Sequence, residues 1–405
     1  MDIDFVLRDL IARNGSDLHL RMGRPPLMRM NGELMPTEHP PLDTDSMAAA
    51  LSRLLGAPAF ARLQTGFDQD SAYSIPGVAR FRVNALRYLN DLGAVIRAIP
   101  LEIPSIDSLN LPPVLKDVVA APQGLVLVTG PTGSGKSTTL AAMINHLNET
   151  EPLHILTIED PIEFVYQDRM CTVTQRQLGM HTPDLHEALK RALRQDPDVI
   201  LMGEMRDRET IEFGMHAAET GHLVFSTLHT NDAKQTIDRV LDSFPSDAIK
   251  QVRSVLALTL RAVVSQRLIR RADGAGRIAA IEILIASPQV KETIFEGRIA
   301  DLEKAMKAGG YYRMQTFNQA LATLAKEGKV TEEEVLGCST NPGDLKLMLR
   351  GVTGAGSSST GEAAAPAPTT AGGTPAAPAP APAGAAAPGT DTGKAPFKIS
   401  RGFKL

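Results

Sequence analysis

The sequence predicts an α/β protein: a mostly parallel sheet flanked by helices, preceded by a smaller α/β domain and followed by a low-complexity tail. Three observations carry this expectation. Residues 114–350 alternate short apolar runs with helical stretches. Residues 1–100 mix helical spacing with strict alternation, punctuated by Pro and Gly turns. From Gly351 to about Lys394 the chain is Ala, Pro, Gly, Ser and Thr with almost no charge.

In the first zone Phe5–Arg13 has helical spacing and Asp17–Met22 alternates like a strand. Arg24-Pro25-Pro26 interrupts, and a helical stretch follows over Ser46–Leu55. Ala79–Arg87 alternates apolar and basic residues, and Gly93–Ile99 reads as another strand. These pieces fit a small domain with a mixed or antiparallel sheet. Pro100–Pro113 carries four prolines, so residues 101–113 are read as a linker. In the second zone Leu125–Thr129 is a buried strand, and further strands fall at His154–Ile158, Val199–Met202 and Leu223–Leu228. Helices lie near Leu185–Gln195 and Glu209–Thr220. Ser246–Leu349 is largely helical, with a strand pair near Gln266–Arg270 and Ile278–Leu284. Residues 351–405 offer no side chains for a core and are expected to be disordered. They end in a basic segment with Lys394, Lys398, Arg401 and Lys404 beside Phe397 and Phe403.

A chain of 405 residues can hold two or three domains. Its net charge of −4 lacks the basic footprint of a nucleic-acid binder. Cys171 and Cys338 are too few for a disulfide framework or a Cys-rich zinc site, which points to a reducing cytosol. The amino terminus lacks a secretory pattern, and no apolar run approaches the ~20 residues of a membrane span, so any membrane association is expected to be peripheral.

Gly130 through Ser137 fits G-x-x-x-x-G-K-[ST], with a strand before it and a helix from Thr138 to Leu147 after it. Gly130, Gly133 and Gly135 let the backbone turn tightly and bring its N–H groups against phosphate oxygens. Pro131, Thr132 and Ser134 complete the loop, and Thr138 follows it. The helix N-terminus adds partial positive charge at the same place. Lys136 supplies a point charge for the β- and γ-phosphates, and the Ser137 hydroxyl suits Mg²⁺. The pattern predicts binding of ATP or a similar triphosphate, with hydrolysis.

In an open parallel sheet the ligand lies at the carboxyl ends of the strands. One such end reads Ile158-Glu159-Asp160-Pro161-Ile162-Glu163, with three carboxylates within five residues. Asp160 precedes a proline and also suits a plain turn, and Glu159 also suits a salt bridge. A second runs Val199–Met202 into Gly203-Glu204, where an acid closes an apolar strand. An Asp fills that metal position in most P-loop enzymes; Glu204, being longer, is expected to act through a metal-bound water. The third contains His222 and His229 on either side of Leu223–Leu228. Seven extended residues span roughly 23 Å, so both cannot reach one phosphate. Strand direction favours His229 as the phosphate sensor and leaves His222 between an interface role and a structural one.

Together these segments resemble the secretion ATPase superfamily, specifically type IV pilus retraction ATPases of the PilT/PilU kind. The matching stretches are GPTGSGKST at 130–138, ILTIEDPIEFV at 155–165, DPDVILMGEMRDRET at 196–210 and ETGHLVFSTLHTNDA at 219–233, with GSDLHL at 15–20 and RFRVN at 80–84. The resemblance implies a PAS-like amino-terminal domain and a RecA-like ATPase domain assembled as a homohexamer. It implies that ATP and Mg²⁺ are held by Lys136 and Ser137, with Glu163 as catalytic base, Glu204 as the Walker B acid, and His222 and His229 as the paired histidines. It also implies that Arg80, Arg82 and Arg97 reach phosphate or a neighbouring site. Gln289–Arg298 departs from the Ala-Ile-Arg-type motif of retraction ATPases, and MQTFNQAL and NPGDLKLML are closer to the PilU type.

The expected function is a cytoplasmic motor docked on the inner face of the membrane, passing ring motion to an inner-membrane pilus platform protein, with a second pilus ATPase as a further partner. An assembly or type II secretion ATPase is the alternative within the class, but those carry a four-Cys zinc insert that two cysteines cannot build. A nucleic-acid translocase is the alternative outside it; the acidic balance and absence of Trp count against a basic stacking channel.

Overall fold

The computed structural model describes residues 2–30, 32–99 and 102–351. The expectation for the tail beyond Gly351 lies outside these residues.

The first part is built from α1 (Ile3–Ala12), β1 (Asp17–Arg21), β2 (Leu27–Met30), β3 (Glu33–Pro36), α2 (Thr44–Leu55), α3 (Ala57–Gln64), β4 (Gln69–Ile75), β5 (Ala79–Tyr88) and β6 (Asp91–Ile99). The strands form one sheet in the order β3-β2-β1-β6-β5-β4, and every pairing is antiparallel. The alternation read in the sequence is what closes this domain. On β5, Ala79, Phe81, Val83 and Ala85 point into the core, which also holds Val6 and Leu7 of α1 and Leu51 of α2. Arg80 and Arg82 fall between them on the other face. The carboxylate of Asp2 caps α1 by accepting from the Asp4 amide at 3.0 Å.

The stretch read as a linker is packed rather than loose. Ile106 and Leu111 are buried in the core of the second sheet together with α4 (Val114–Val119).

The second part continues with β7 (Gly124–Thr129), α5 (Lys136–Thr150), β8 (His154–Glu159), β9 (Thr172–Gln177), α6 (Leu185–Ala192), β10 (Val199–Met202), α7 (Arg208–Glu219), β11 (Leu223–Leu228), α8 (Ala233–Asp242), α9 (Ile249–Thr259), β12 (Leu260–Arg270), β13 (Arg277–Ile285), α10 (Pro288–Glu296), α11 (Leu302–Ala308), α12 (Phe317–Lys326), α13 (Glu332–Cys338) and α14 (Pro342–Leu349). Its seven strands run β13-β12-β7-β11-β10-β8-β9. All neighbours are parallel except the β12–β13 hairpin.

All six residues of β7 are buried, as a strand covered on both faces requires. Leu125 and Leu127 face a core shared with α7, α8 and α9, while Val126 and Val128 face α4 and α5. Helices α12 to α14 pack over the outer end of the β12–β13 hairpin through Phe317, Leu321, Val335 and Leu345. Among the described residues, no helix is long and apolar enough to cross a membrane.

Candidate active site

The sheet order places β7 between β12 and β11, with β10 and β8 beyond β11. The carboxyl ends of these strands open into one cleft of about 980 Å³.

The loop after β7 forms its floor. Gly130 has φ 144°, and a Cβ there would lie 2.3 Å from the Gln266 carbonyl oxygen and 2.6 Å from Ser134 Oγ, so only glycine fits. Gly135 caps α5 in the left-handed region at φ 86°. Thr132, Gly133, Lys136, Ser137 and Thr138 line the cleft. Lys136 is buried, and its Nζ donates to the carbonyls of Gly130 at 2.9 Å and Pro131 at 3.1 Å. Burial pushes its ammonium below the ordinary lysine range, against the opposing pull of the Glu204 and Glu163 carboxylates.

The next strand ends deliver the acids. Glu204 follows β10 and is held on both oxygens: Arg206 Nε lies 2.7 Å from Oε2, and His229 Nε2 lies 3.3 Å from Oε1. The Thr227 hydroxyl donates to the Gly203 carbonyl at 2.7 Å, tying this loop to β11. At the end of β8 and just beyond it, Glu159, Asp160 and Glu163 all line the cleft. Glu163 is exposed to it, whereas Glu159 is half-buried. Glu159 has no ion pair among the described residues; it accepts hydrogen bonds from Thr157 at 2.6 Å and Gln175 at 3.1 Å. Burial pushes its carboxyl up from the usual range, against the opposing hydrogen bonds from Thr157 and Gln175.

His222 and the strand arginines fall in different places relative to this cleft. His222 stands at the amino end of β11, away from the cleft, where its Nδ1 lies 2.9 Å from the Ala217 carbonyl oxygen and 3.3 Å from Thr220 Oγ1. The strand between the histidines separates them, so His222 is not brought to a nucleotide held in this chain. Arg80 and Arg82, on the neighbouring strand β5, are not among the residues that line the cleft. Arg97, on β6, does line it.

Sequence reading missed Gln266, Leu268 and Arg277. Gln266 Nε2 donates to the Ser134 carbonyl at 2.7 Å, while its Oε1 accepts from Thr139 Oγ1 at 2.7 Å. One side chain thus braces both the phosphate loop and the first turn of α5. Leu268 and Arg277 line the cleft from the hairpin side. Only a known sheet order could have found them, since even Gln266 lies 132 residues from Ser134, the loop residue it holds.

A glycine-rich loop at a central parallel strand, with a buried lysine, a strand-end glutamate and a histidine beside it, defines a RecA-like P-loop ATPase. The chain belongs to the family described as Type II/IV secretion system protein, whose model matches residues 2–336. It is 46% identical over 333 residues to the type IV pilus retraction ATPase PilT of Pseudomonas aeruginosa, covering 82% of this chain and 96% of that protein. It is 46% identical over 308 residues to a twitching motility protein of Neisseria gonorrhoeae, covering 76% and 82% of the two chains. The type IV pilus ATPase PilU of Pseudomonas aeruginosa is 40% identical over 350 residues, with coverage of 86% and 92%. The crystal structure of the pilus retraction motor PilT with bound ADP superposes with a TM-score of 0.81 at 39% identity, covering 85% of this chain and 99% of that one.

Proposed function

We propose that this chain is a hexameric, ATP-hydrolysing motor that retracts type IV pili and so drives twitching motility. The observation that carries this reading is the convergence of Lys136, Glu204 and His229 on one cleft, in a chain nearly half identical to a retraction ATPase along most of its length.

In this reading the loop 130–138 wraps the β- and γ-phosphates, with Lys136 leaving the Gly130 and Pro131 carbonyls for phosphate oxygens. Mg²⁺ fits the donors present: Ser137 borders the cleft at the start of α5, and hard-oxygen chemistry leaves the remaining positions to water and phosphate. When bound, the ion neutralises charge developing on the phosphate oxygens. Glu204, with both oxygens engaged by Arg206 and His229, is suited to orient a water rather than to ligate directly. Glu163, exposed to the cleft, serves as the base for the attacking water. His229 reads the presence of the γ-phosphate through its contact with Glu204. Arg97 brings the amino-terminal domain to the nucleotide. The ring works in the cytoplasm on the inner face of the membrane, against a platform protein and beside a second pilus ATPase.

The test is a strain carrying Lys136→Ala. It should make pili at normal or raised number and fail to twitch, and the purified variant should not turn over ATP. A bald strain would instead assign the motor to pilus assembly.

A further inference from the structure

Four side chains form one row across the amino-terminal sheet. Register places Arg29 opposite Asp17, Asp17 opposite Arg97, and Arg97 opposite Arg82. One carboxylate therefore stands among three arginines. Asp17 is buried at 5% exposure, and it gives its shortest ion pair to Arg97, whose Nε lies 2.8 Å from Oδ1. Arg29 is at 3.9 Å, and the Ser16 hydroxyl donates to the second oxygen at 2.7 Å. Burial pushes the Asp17 carboxyl upward, but the Ser16 hydroxyl and Arg97 outweigh it and hold it below its ordinary value.

The consequence for Arg97 is directional. Its Nε is fixed from one side by a buried acid, and the like charge of Arg82 opposes it from the other. Its terminal guanidinium nitrogens have no hydrogen-bond partner among the described residues, and the side chain borders the cleft that holds Lys136. A side-on clasp at Nε leaves the two-nitrogen end of the fork free for a bidentate phosphate contact.

From this juxtaposition we infer that Asp17 is a positioning residue: it aims Arg97 of the same chain at the triphosphate and so links the amino-terminal sheet to hydrolysis. The inference rests on the reading that ATP occupies the cleft. It also separates Arg97 from Arg82 and Arg80, which the same sheet leaves outside the cleft.

The experiment is a double-mutant cycle in the full chain, with Asp17→Asn and Arg97→Ala made singly and together. ATP turnover, KM for ATP and the melting midpoint are measured for each, with Lys136→Ala as the control. Misaiming an arginine by about an ångström should lower kcat/KM by about 10- to 100-fold. Asp17→Asn should give that loss at an unchanged melting midpoint, and it should add nothing once Arg97 is alanine. Two results overturn the inference while leaving the ATPase reading intact: normal kinetics of Asp17→Asn, or an equal further loss in the Arg97→Ala background. An early melt of Asp17→Asn in both backgrounds also overturns it, because Asp17 would then be an anchor of the fold. Absence of ATP turnover by the unaltered protein, equal to that of Lys136→Ala, would instead remove the parent reading.

Discussion

Gln266 Nε2 donates to the carbonyl of Ser134 across 2.7 Å, so a strand far along the chain holds the phosphate loop in shape. Its Oε1 simultaneously accepts from Thr139. Replacing Gln266 with Ala leaves a buried carbonyl and hydroxyl without this partner, a loss of about 1–3 kcal/mol. We expect Gln266→Ala to raise the KM for ATP roughly tenfold or more at modest change in melting midpoint. Titration with a fluorescent ATP analogue reads this directly, and unchanged affinity would show that the loop keeps its form unaided.

The two acids at the cleft predict a separation of binding from chemistry. Glu204→Gln and Glu163→Gln preserve size and should keep nucleotide affinity while lowering turnover by about 10²–10⁴-fold. Phosphate release measured beside equilibrium nucleotide binding checks both halves. Near-normal turnover in either variant would remove that residue from the chemistry.

The histidines should part company. His229→Ala breaks the 3.3 Å contact with Glu204 and should cut turnover. His222→Ala removes a contact to the Ala217 carbonyl at the opposite end of the strand, so its cost should fall on stability, about 1 kcal/mol, with kcat and KM of the isolated chain's site little altered. Parallel kinetics and thermal melts decide the matter; equal kinetic losses in both variants would contradict the placement of His222.

Glu282 sets a pH dependence of stability. Its carboxylate, 7% exposed, accepts from the Ala233 amide at 2.7 Å and the Phe317 amide at 3.1 Å, the first residues of α8 and α12. Burial nevertheless pushes its pKa from 4.5 to about 7, the two amides only partly opposing it. The folded state therefore holds the proton more tightly than the unfolded one. That contribution is complete below pH 4.5 and is lost as pH rises toward 7, of order 3 kcal/mol in all. Glu282→Gln should flatten this part of the melting-versus-pH profile. It should also lower the midpoint at pH 5, since its amide nitrogen would meet an N–H donor.

What the sequence made legible follows its hydrophobic runs. Strands β10 and β11 lie at the residues their apolar runs mark, Val199–Met202 and Leu223–Leu228, because parallel strands buried on both faces leave no polar break. The hairpin β2–β3 and strands β4 and β9 escaped notice for the converse reason. The edge strand β9, Thr-Val-Thr-Gln-Arg-Gln, carries little apolar signal, and β3 is exposed along its whole length. Strand β12 begins six residues before the pattern announces it. Leu260 follows α9 with no loop, turning from helix to strand at φ −57° and ψ 131°. The phosphate loop and the acids beside it were readable because each closes a local run. Gln266 and Arg277 were not, since their part in the site comes from which strand lies next to which.

The groups drawn from the large sheet share one scaffold edge: the loop after β7, Gln266 on its neighbour, and Glu204 and His229 on the other side. Backbone ladders fix the intervals between those strands, so this set behaves as a rigid jaw with little travel of its own. Arg97 belongs to a different sheet, separated from the jaw by the chain that leaves β6. Whatever stroke the cleavage of a phosphate produces must be delivered across that gap. A covalent staple pinning the two sheets together should therefore leave an engine that still grips its fuel and turns nothing.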